Sequence, residues 1–308
     1  MSFKITILGN SSAKPTPNRH HSGQVVNVNE QYYLVDGGEG VQQQMFRYGI
    51  NPLKLRAIFV SHLHADHVYG VFPLLSTMSL YGRKTSLKIY APAPFGEMLE
   101  AYMKFFGRDM DYAVEWEEVN TSEHQIIFEN RTLEVWSVPL RHRLPTSGYL
   151  FKEKDPPLNV DKFKIGKYGL GIAQITAAKR GEDIELESGE VIKNSEITYQ
   201  PYRGRSYAYI SDTAYAPPVS KMCEGIDLLY HEATYAAIEA KTAKERGHST
   251  TEQAAKCAKA ACVKRLIIGH FSSRYKDLNI LLEEAQATFP NSSLAIEGEE
   301  FTIEKQDQ

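Results

Sequence analysis

The feature that most limits what this chain can fold into is the stretch AIFVSHLHADHVYGVF, from Ala57 to Phe72. Ala57, Ile58, Phe59 and Val60 are apolar without a break, the pattern of a strand buried on both faces. Four metal-ligand side chains, His62, His64, Asp66 and His67, follow at once. Such a chain must build a sheet covered on both sides and leave the strand's end open to a site. The arrangement recurs: VWSVPL ends in Arg141-His142, YAYI in Ser211-Asp212 and LIIG in His270. Four candidate strands each deliver a ligand-type side chain just past their ends, where loops are free to converge. His62 and His64, two apart on extended chain, point the same way. Asp66 and His67 then turn back from the loop, so one short peptide supplies two ligands to each of two neighbouring metals.

Periodicity predicts strands at 4–8, 24–29, 32–35, 57–60, 87–90, 132–138, 206–210, 228–230, 265–268 and 294–296, and helices at 42–48, 71–79, 95–105, 249–261 and 277–288. Mixed strands and helices imply a layered α/β or α+β fold. With 308 residues, 42% of them hydrophobic, the chain is long enough for one large α/β domain or two fused halves. Cys223, Cys257 and Cys262 are too few and too unevenly placed for a disulfide scaffold, which points to a reducing compartment. The start, MSFKITILGN, lacks a leader pattern and no window is long enough to cross a bilayer, so a soluble, cytoplasmic protein with no membrane partner is expected.

Net charge is only −3, but its distribution is uneven. Between Arg141 and Arg180 nine basic residues stand against three acids, Glu153, Asp155 and Asp161. A mostly acidic body with one basic stretch suggests a local site for a polyanion; the bland alternative is a solvated loop. Phe151, Phe163 and Tyr168 interleave with Gly166, Gly169 and Gly171. The stretch reads as a flexible protrusion in which glycines weaken any regular helix, inserted at about 151–180 into a domain spanning 1–308.

Neutral imidazoles with ionised carboxylates suit Zn²⁺ or a similar divalent ion. His62, His64 and His142 serve one ion, Asp66, His67 and His270 the other, and Asp212 bridges. A lone His-x-His is more often surface decoration, and His20, His21, His124 and His231 read as loop, solvated or supporting residues. His-x-His-x-Asp-His after an apolar run is far more specific.

SHLHADH resembles the signature of the metallo-β-lactamase superfamily, and the likeness is closer to one branch, the short-form ribonuclease Z family of tRNA 3′-processing endonucleases. LVDGGEGVQQQMFRYGINPLKLRAIFVSHLHADHVYGVFPLL is similar to that family's block from the Asp-Cys-Gly-Glu-Gly turn through the metal motif, with Gly37 in place of the usual Cys and Ala65 where Gly is common. RHRLPTSGYLF, YISDTAY, YHEATY, GHST and GHFSSRY resemble its later blocks in order. The resemblance implies an αβ/βα four-layer sandwich and two Zn²⁺ per chain, or other divalent ions. It implies a dimetal-bound hydroxide that cuts precursor tRNA on the 3′ side of the discriminator base, and a homodimer whose basic arm clamps the tRNA body.

Within that frame Asp66 is expected to accept the water's proton and His248 to protonate the leaving ribose oxygen, with Glu232 orienting it. Ser249-Thr250-Thr251-Glu252 reads as a capping box that sets His248 at a helix N-terminus, where phosphate is favoured. Ser249, Thr250 and Arg274 are expected at the substrate, Arg274 as a phosphate clamp or a surface salt bridge. Lys162, Lys164 and Lys167 are expected on the RNA body. A general hydrolase of small diesters, esters or lactones would share the metals but has no use for the arm. The short stretch between Asp212 and His270 leaves no room for the large inserted domain of the related exonuclease branch.

Overall fold

In the computed structural model, which describes residues 2–14 and 16–305, most strands fall into two seven-stranded sheets. The first contains β1 (Phe3–Gly9), β2 (Gly23–Val28), β3 (Gln31–Gly37), β4 (Leu55–Phe59), β5 (Leu87–Ala91), β6 (Val114–Glu118) and β18 (Glu300–Thr302), with β18 beside β1. Its half from β3 to β6 is parallel. The second contains β7 (Ile126–Glu129), β8 (Leu133–Pro139), β9 (Ser147–Glu153), β14 (Ser206–Ile210), β15 (Leu228–Glu232), β16 (Arg265–Gly269) and β17 (Ser292–Leu294). There β14 to β17 are parallel and β7, β8, β9 and β14 antiparallel.

Alternation along each strand decides the layering. Ala57 and Phe59 of β4 join Tyr149, Phe151, Tyr207 and Tyr209 in a core between the sheets. Ile58 and Val60 face the other way, against helices Val41–Arg47, Val71–Leu80 and Phe95–Phe106. In β14, Tyr207 and Tyr209 point inward while Ala208 and Ile210 meet helices Pro217–Met222, Thr251–Ala260 and Asn279–Thr288. The result is helix, sheet, sheet, helix. The Phe59 ring lies 5.3 Å from that of Tyr149 and 5.4 Å from that of Phe151. Such rings hold the sheets together, and removing one costs about 3–5 kcal/mol.

The insertion differs from expectation in three ways. Phe151 is fully buried in β9, so the insertion begins after Glu153 and ends before Ser206. It also folds: strands β10 (Asn159–Val160), β11 (Ile184–Glu185), β12 (Val191–Ile192) and β13 (Thr198–Tyr199) accompany helices Lys162–Tyr168 and Ile172–Lys179. Val160, Leu170, Ala178, Ile184, Ile192 and Ile197 give it a small core of its own. The glycines punctuate the helices instead of preventing them; Gly169 ends the first in a left-handed conformation, φ +62°, that glycine adopts without steric cost. Third, the basic run is answered by an acidic one, from Glu182 to Glu196. The strand expected at 294–296 lies two residues earlier, with Ile296 exposed.

Candidate active site

The C-terminal ends of β3, β4, β8, β14, β15 and β16 open on one edge of the sandwich, because β8 shares the direction of β14 across the intervening β9. The sheets are tied together there. Ser147 N–H donates to the Ser61 carbonyl at 3.0 Å, and the Ser61 and Ser211 hydroxyls are 2.9 Å apart. Past these ends the expected ligands meet in two sets. His62 Nε2 and His142 Nε2 lie 2.9 and 3.2 Å from His64 Nδ1, and 3.6 and 3.8 Å from Asp212 Oδ2. His67 Nε2 and His270 Nε2 are 3.2 Å apart, 3.5 and 3.4 Å from Asp66 Oδ2, and 3.4 and 3.2 Å from Asp212 Oδ1. Asp66 and His67 sit on a one-turn helix, Ala65–Val68, for which His64 is the N-cap.

The outer nitrogens fix which inner atoms are lone pairs. His67 Nδ1 lies 2.7 Å from Asp36 Oδ2, an acceptor only, and His142 Nδ1 lies 2.8 Å from the Gly247 carbonyl. The Thr234 hydroxyl donates to Glu232 Oε2 at 2.8 Å, so at 2.9 Å it accepts from His270 Nδ1. The Ser61 hydroxyl donates to Asp36 at 2.8 Å and accepts from His62 Nδ1 at 3.0 Å. In the neutral form each of these four rings therefore turns a bare nitrogen inward, the tautomer a metal requires. Asp212 Oδ1 is buried with no hydrogen-bond partner, although it faces two imidazole nitrogens. A cation between these atoms satisfies all of them at once, and the donor set fits a borderline divalent ion.

Burial, the largest influence, keeps His62 well below the ordinary imidazole range and so neutral. At His67 burial acts the same way but is outweighed by Asp212, Asp66 and Asp36, which hold its pKa well above the ordinary imidazole range and so favour the charged ring. Asp66 and Asp212 resist burial and stay far below the carboxylate range, Asp66 chiefly through His67 and Asp212 chiefly through His270.

His248 Nδ1 lies 3.9 Å from Asp212 Oδ2, and His248 forms with Asp212 and His270 a third group of ligand-type side chains, but its nearest partner is Glu232 Oε1 at 3.0 Å. Glu232, fully buried, also accepts from the N–H groups of Thr213, Ser249 and Thr234, each at 3.0 Å. Burial lowers the His248 pKa, yet Glu232 prevails and raises it to about 9.

Among the residues first expected at the substrate, the structure separates two groups. Arg274 lines a cavity of about 690 Å³ with His64, Asp66, His142, Asp212 and His248; it is ion-paired with Glu239 and sits 5.0 Å over the Tyr235 ring. Ser249 and Thr250 are buried and turned inward. Ser249 Oγ donates to the Thr213 carbonyl at 2.7 Å, and Thr250 is the N-cap of Thr251–Ala260. The capping box is thus Thr250 with Gln253, one residue later than read from the sequence, because Ser249 is committed to Thr213 and Glu232. Lys162, Lys164 and Lys167 lie on the arm helix Lys162–Tyr168 and do not line this cavity.

The supporting residues Asp36, Ser61, Thr234 and Gly247 were not singled out from the sequence. Asp36 had a signal, since LVD ends an apolar run just as the ligands do. Gly247 has φ +74°, and a Cβ there would lie 2.9 Å from His142 Nδ1. At Gly38 a Cβ would lie 2.4 Å from the Asp66 carbonyl. Asp36 and His270 themselves take left-handed φ values of +56° and +58°, a strain of roughly 1–3 kcal/mol each that the surrounding bonds must offset.

The family profile described as Anti-Pycsar protein Apyc1 matches residues 3–142, a span that stops before Asp212. The ribonuclease Z of Phocaeicola vulgatus is 40% identical over 302 residues, covering 98% of each chain. Among solved structures, the short form of human tRNase Z superposes with a TM-score of 0.70 at 24% identity, covering 98% of this chain and 99% of that one. The metallo-β-lactamase fold protein YhfI from Bacillus subtilis does so with a TM-score of 0.68 at 19% identity, covering 98% and 100%. The four layers are therefore those of the metallo-β-lactamase fold.

Proposed function

The chain belongs to the ribonuclease Z family, and from that membership we propose that it is the endoribonuclease that hydrolyses precursor tRNA on the 3′ side of the discriminator base and releases the 3′ trailer. The observation that carries the reading is a two-centre ligand cage sharing one cavity wall with an imidazole held by a buried carboxylate. Two Zn²⁺ per chain are the proposed cofactors, one with His62, His64, His142 and Asp212, the other with Asp66, His67, His270 and Asp212. When bound, such ions acidify water and offset charge on the phosphoryl group.

The residues of the chain do the rest. The Asp66 carboxylate accepts a proton from the attacking water as its oxygen bonds to phosphorus and the bond from phosphorus to the 3′ oxygen breaks. The departing oxygen takes a proton from His248. Glu232 keeps His248 Nδ1–H engaged, which leaves Nε2 for the substrate. Arg274 is the proposed phosphate clamp, released from Glu239 when substrate enters. The arm lysines Lys162, Lys164 and Lys167 hold the tRNA body, in a homodimer. Three cysteines without a disulfide support a reducing compartment, the cytoplasm, and no helix among the described residues is long and apolar enough to cross a membrane.

The test is cleavage of precursor tRNA beside a small phosphodiester, with elemental analysis of the purified protein. Cleavage after the discriminator base and close to two divalent ions per chain are expected. Equal preference for the small diester, or one ion or none under metal-replete conditions, would overturn the reading.

A further inference from the structure

His248 borders two cavities. One is the cavity of the ligand cage; the other, of about 610 Å³, is lined by Arg141, Tyr215, Lys241, Lys244 and Gln253 beside small residues. Three of these side chains are cationic and no acid lines the space. Some exposed lysines elsewhere are paired with carboxylates, as Lys84 is with Asp111, Lys88 with Glu117, Lys193 with Asp183 and Lys256 with Glu252. Among the described residues the side chains of Arg141, Lys241 and Lys244 have no such partner. The backbone that carries them is fixed. Arg141 N–H donates to Thr213 Oγ1 at 3.0 Å and its carbonyl accepts from Ala214 N–H at 2.8 Å. Lys241 and Lys244 are neighbours three apart on one face of the helix Ala240–Arg246. Three unneutralised cations around one concave space repel one another, and a bound anion removes that repulsion.

Their position relative to His248 says which anion. In an in-line displacement the attacking water and the leaving oxygen lie on opposite sides of phosphorus. His248 protonates the leaving oxygen, so the nucleoside bearing that oxygen lies on the His248 side. The chain continuing from it is carried away from the ligand cage, past His248, toward the second cavity. We propose that Arg141, Lys241 and Lys244 form an anion subsite that grips the backbone phosphates on the leaving-group side of the scissile bond. The subsite rests on the function proposed above, with His248 as the acid. It holds the RNA in register, so that the cut falls at one phosphate.

The test pairs a protein change with a substrate change. The double variant Lys241→Ala, Lys244→Ala keeps good helix formers at exposed positions, and its thermal melting is compared with wild type to establish that it folds. With precursor tRNA, KM is expected to rise roughly ten-fold, as loss of hydrogen bonds to charged groups implies, with kcat nearly kept. The salt dependence of binding should be shallower by about two counterions. Precursors carrying one uncharged methylphosphonate just upstream or just downstream of the cut locate the effect. Wild type should lose affinity for the upstream substitution and the variant should not, while both respond alike downstream. An unchanged KM on a precursor that wild type cuts would overturn the subsite alone, as would sensitivity lost on the downstream side. Failure of wild type to cut any precursor would overturn the functional reading and the subsite together.

Discussion

At the scale of single residues, the cage was legible because its ligands follow a rule visible in one dimension: each lies in the loop just past an apolar run. His62, His64, Asp66, His67, His142, Asp212 and His270 do so, and the structure gathers them. The residues that aim them are not legible, since Thr234 and Gly247 act through hydrogen bonds to rings from other parts of the chain. These aiming bonds are testable. Replacing His248 by Ala should slow turnover on the order of 10² to 10⁴, the range for a lost general acid, with RNA affinity changing much less; equal losses in both would count against its role. Glu232→Gln should give a milder form of the defect. Gly247→Ala forces an unfavourable backbone and pushes on His142. Elemental analysis should show metal content falling by up to one ion per chain, with the fold intact by circular dichroism. Full metal content in a folded variant would mean that His142 does not depend on Gly247.

At the scale of elements, central strands with an unbroken apolar run, such as β4, β14 and β16, are legible in the sequence, while several others are not. β6, with the sequence VEWEE, and the two-residue arm strands carry too little apolar pattern to stand out from turns. β9 was missed for another reason. Its last residues, Phe151, Lys152 and Glu153, resemble the basic run that follows, and only the tertiary partner of Glu153 reveals the boundary. Burial raises the Glu153 pKa, but Arg205 overcomes this through bonds of 2.8 and 2.9 Å and holds the carboxyl below its ordinary value. A carboxyl depressed by folding contributes stability above its unfolded pKa, near 4.3, and loses it as pH falls toward the folded value. Urea unfolding should therefore show wild type weakening below about pH 5. Glu153→Gln should already be less stable by about 3–5 kcal/mol at neutral pH, because a buried ion pair is broken by removing one partner. If the variant unfolds at the wild-type urea concentration, the pair does not anchor the base of the arm.

At the scale of the whole molecule, net charge conceals the design and local charge reveals it. The arm's helical half, from Lys162 to Arg180, carries five basic residues and no acid; the half that follows, from Glu182 to Glu196, carries six acids and one lysine. One small core joins both halves, so the basic half and the acidic half are held together as one folded unit. A polyanion is attracted to the first and repelled by the second. Excising part of the arm would expose that core, so charge reversal is the cleaner experiment. With Lys162, Lys164 and Lys167 changed to Glu, the KM for precursor tRNA should rise strongly and the salt slope of binding should fall by about three phosphate contacts. Hydrolysis of a small diester bound in the cavity, which these lysines do not line, should stay close to wild type. Reversing the acidic half instead, at Glu185, Glu187 and Glu190, should strengthen binding to RNA of any sequence and so blunt the preference for precursor tRNA over bulk RNA. An arm that merely tethers substrate by total charge predicts otherwise: both sets of reversals would then change affinity without changing that preference.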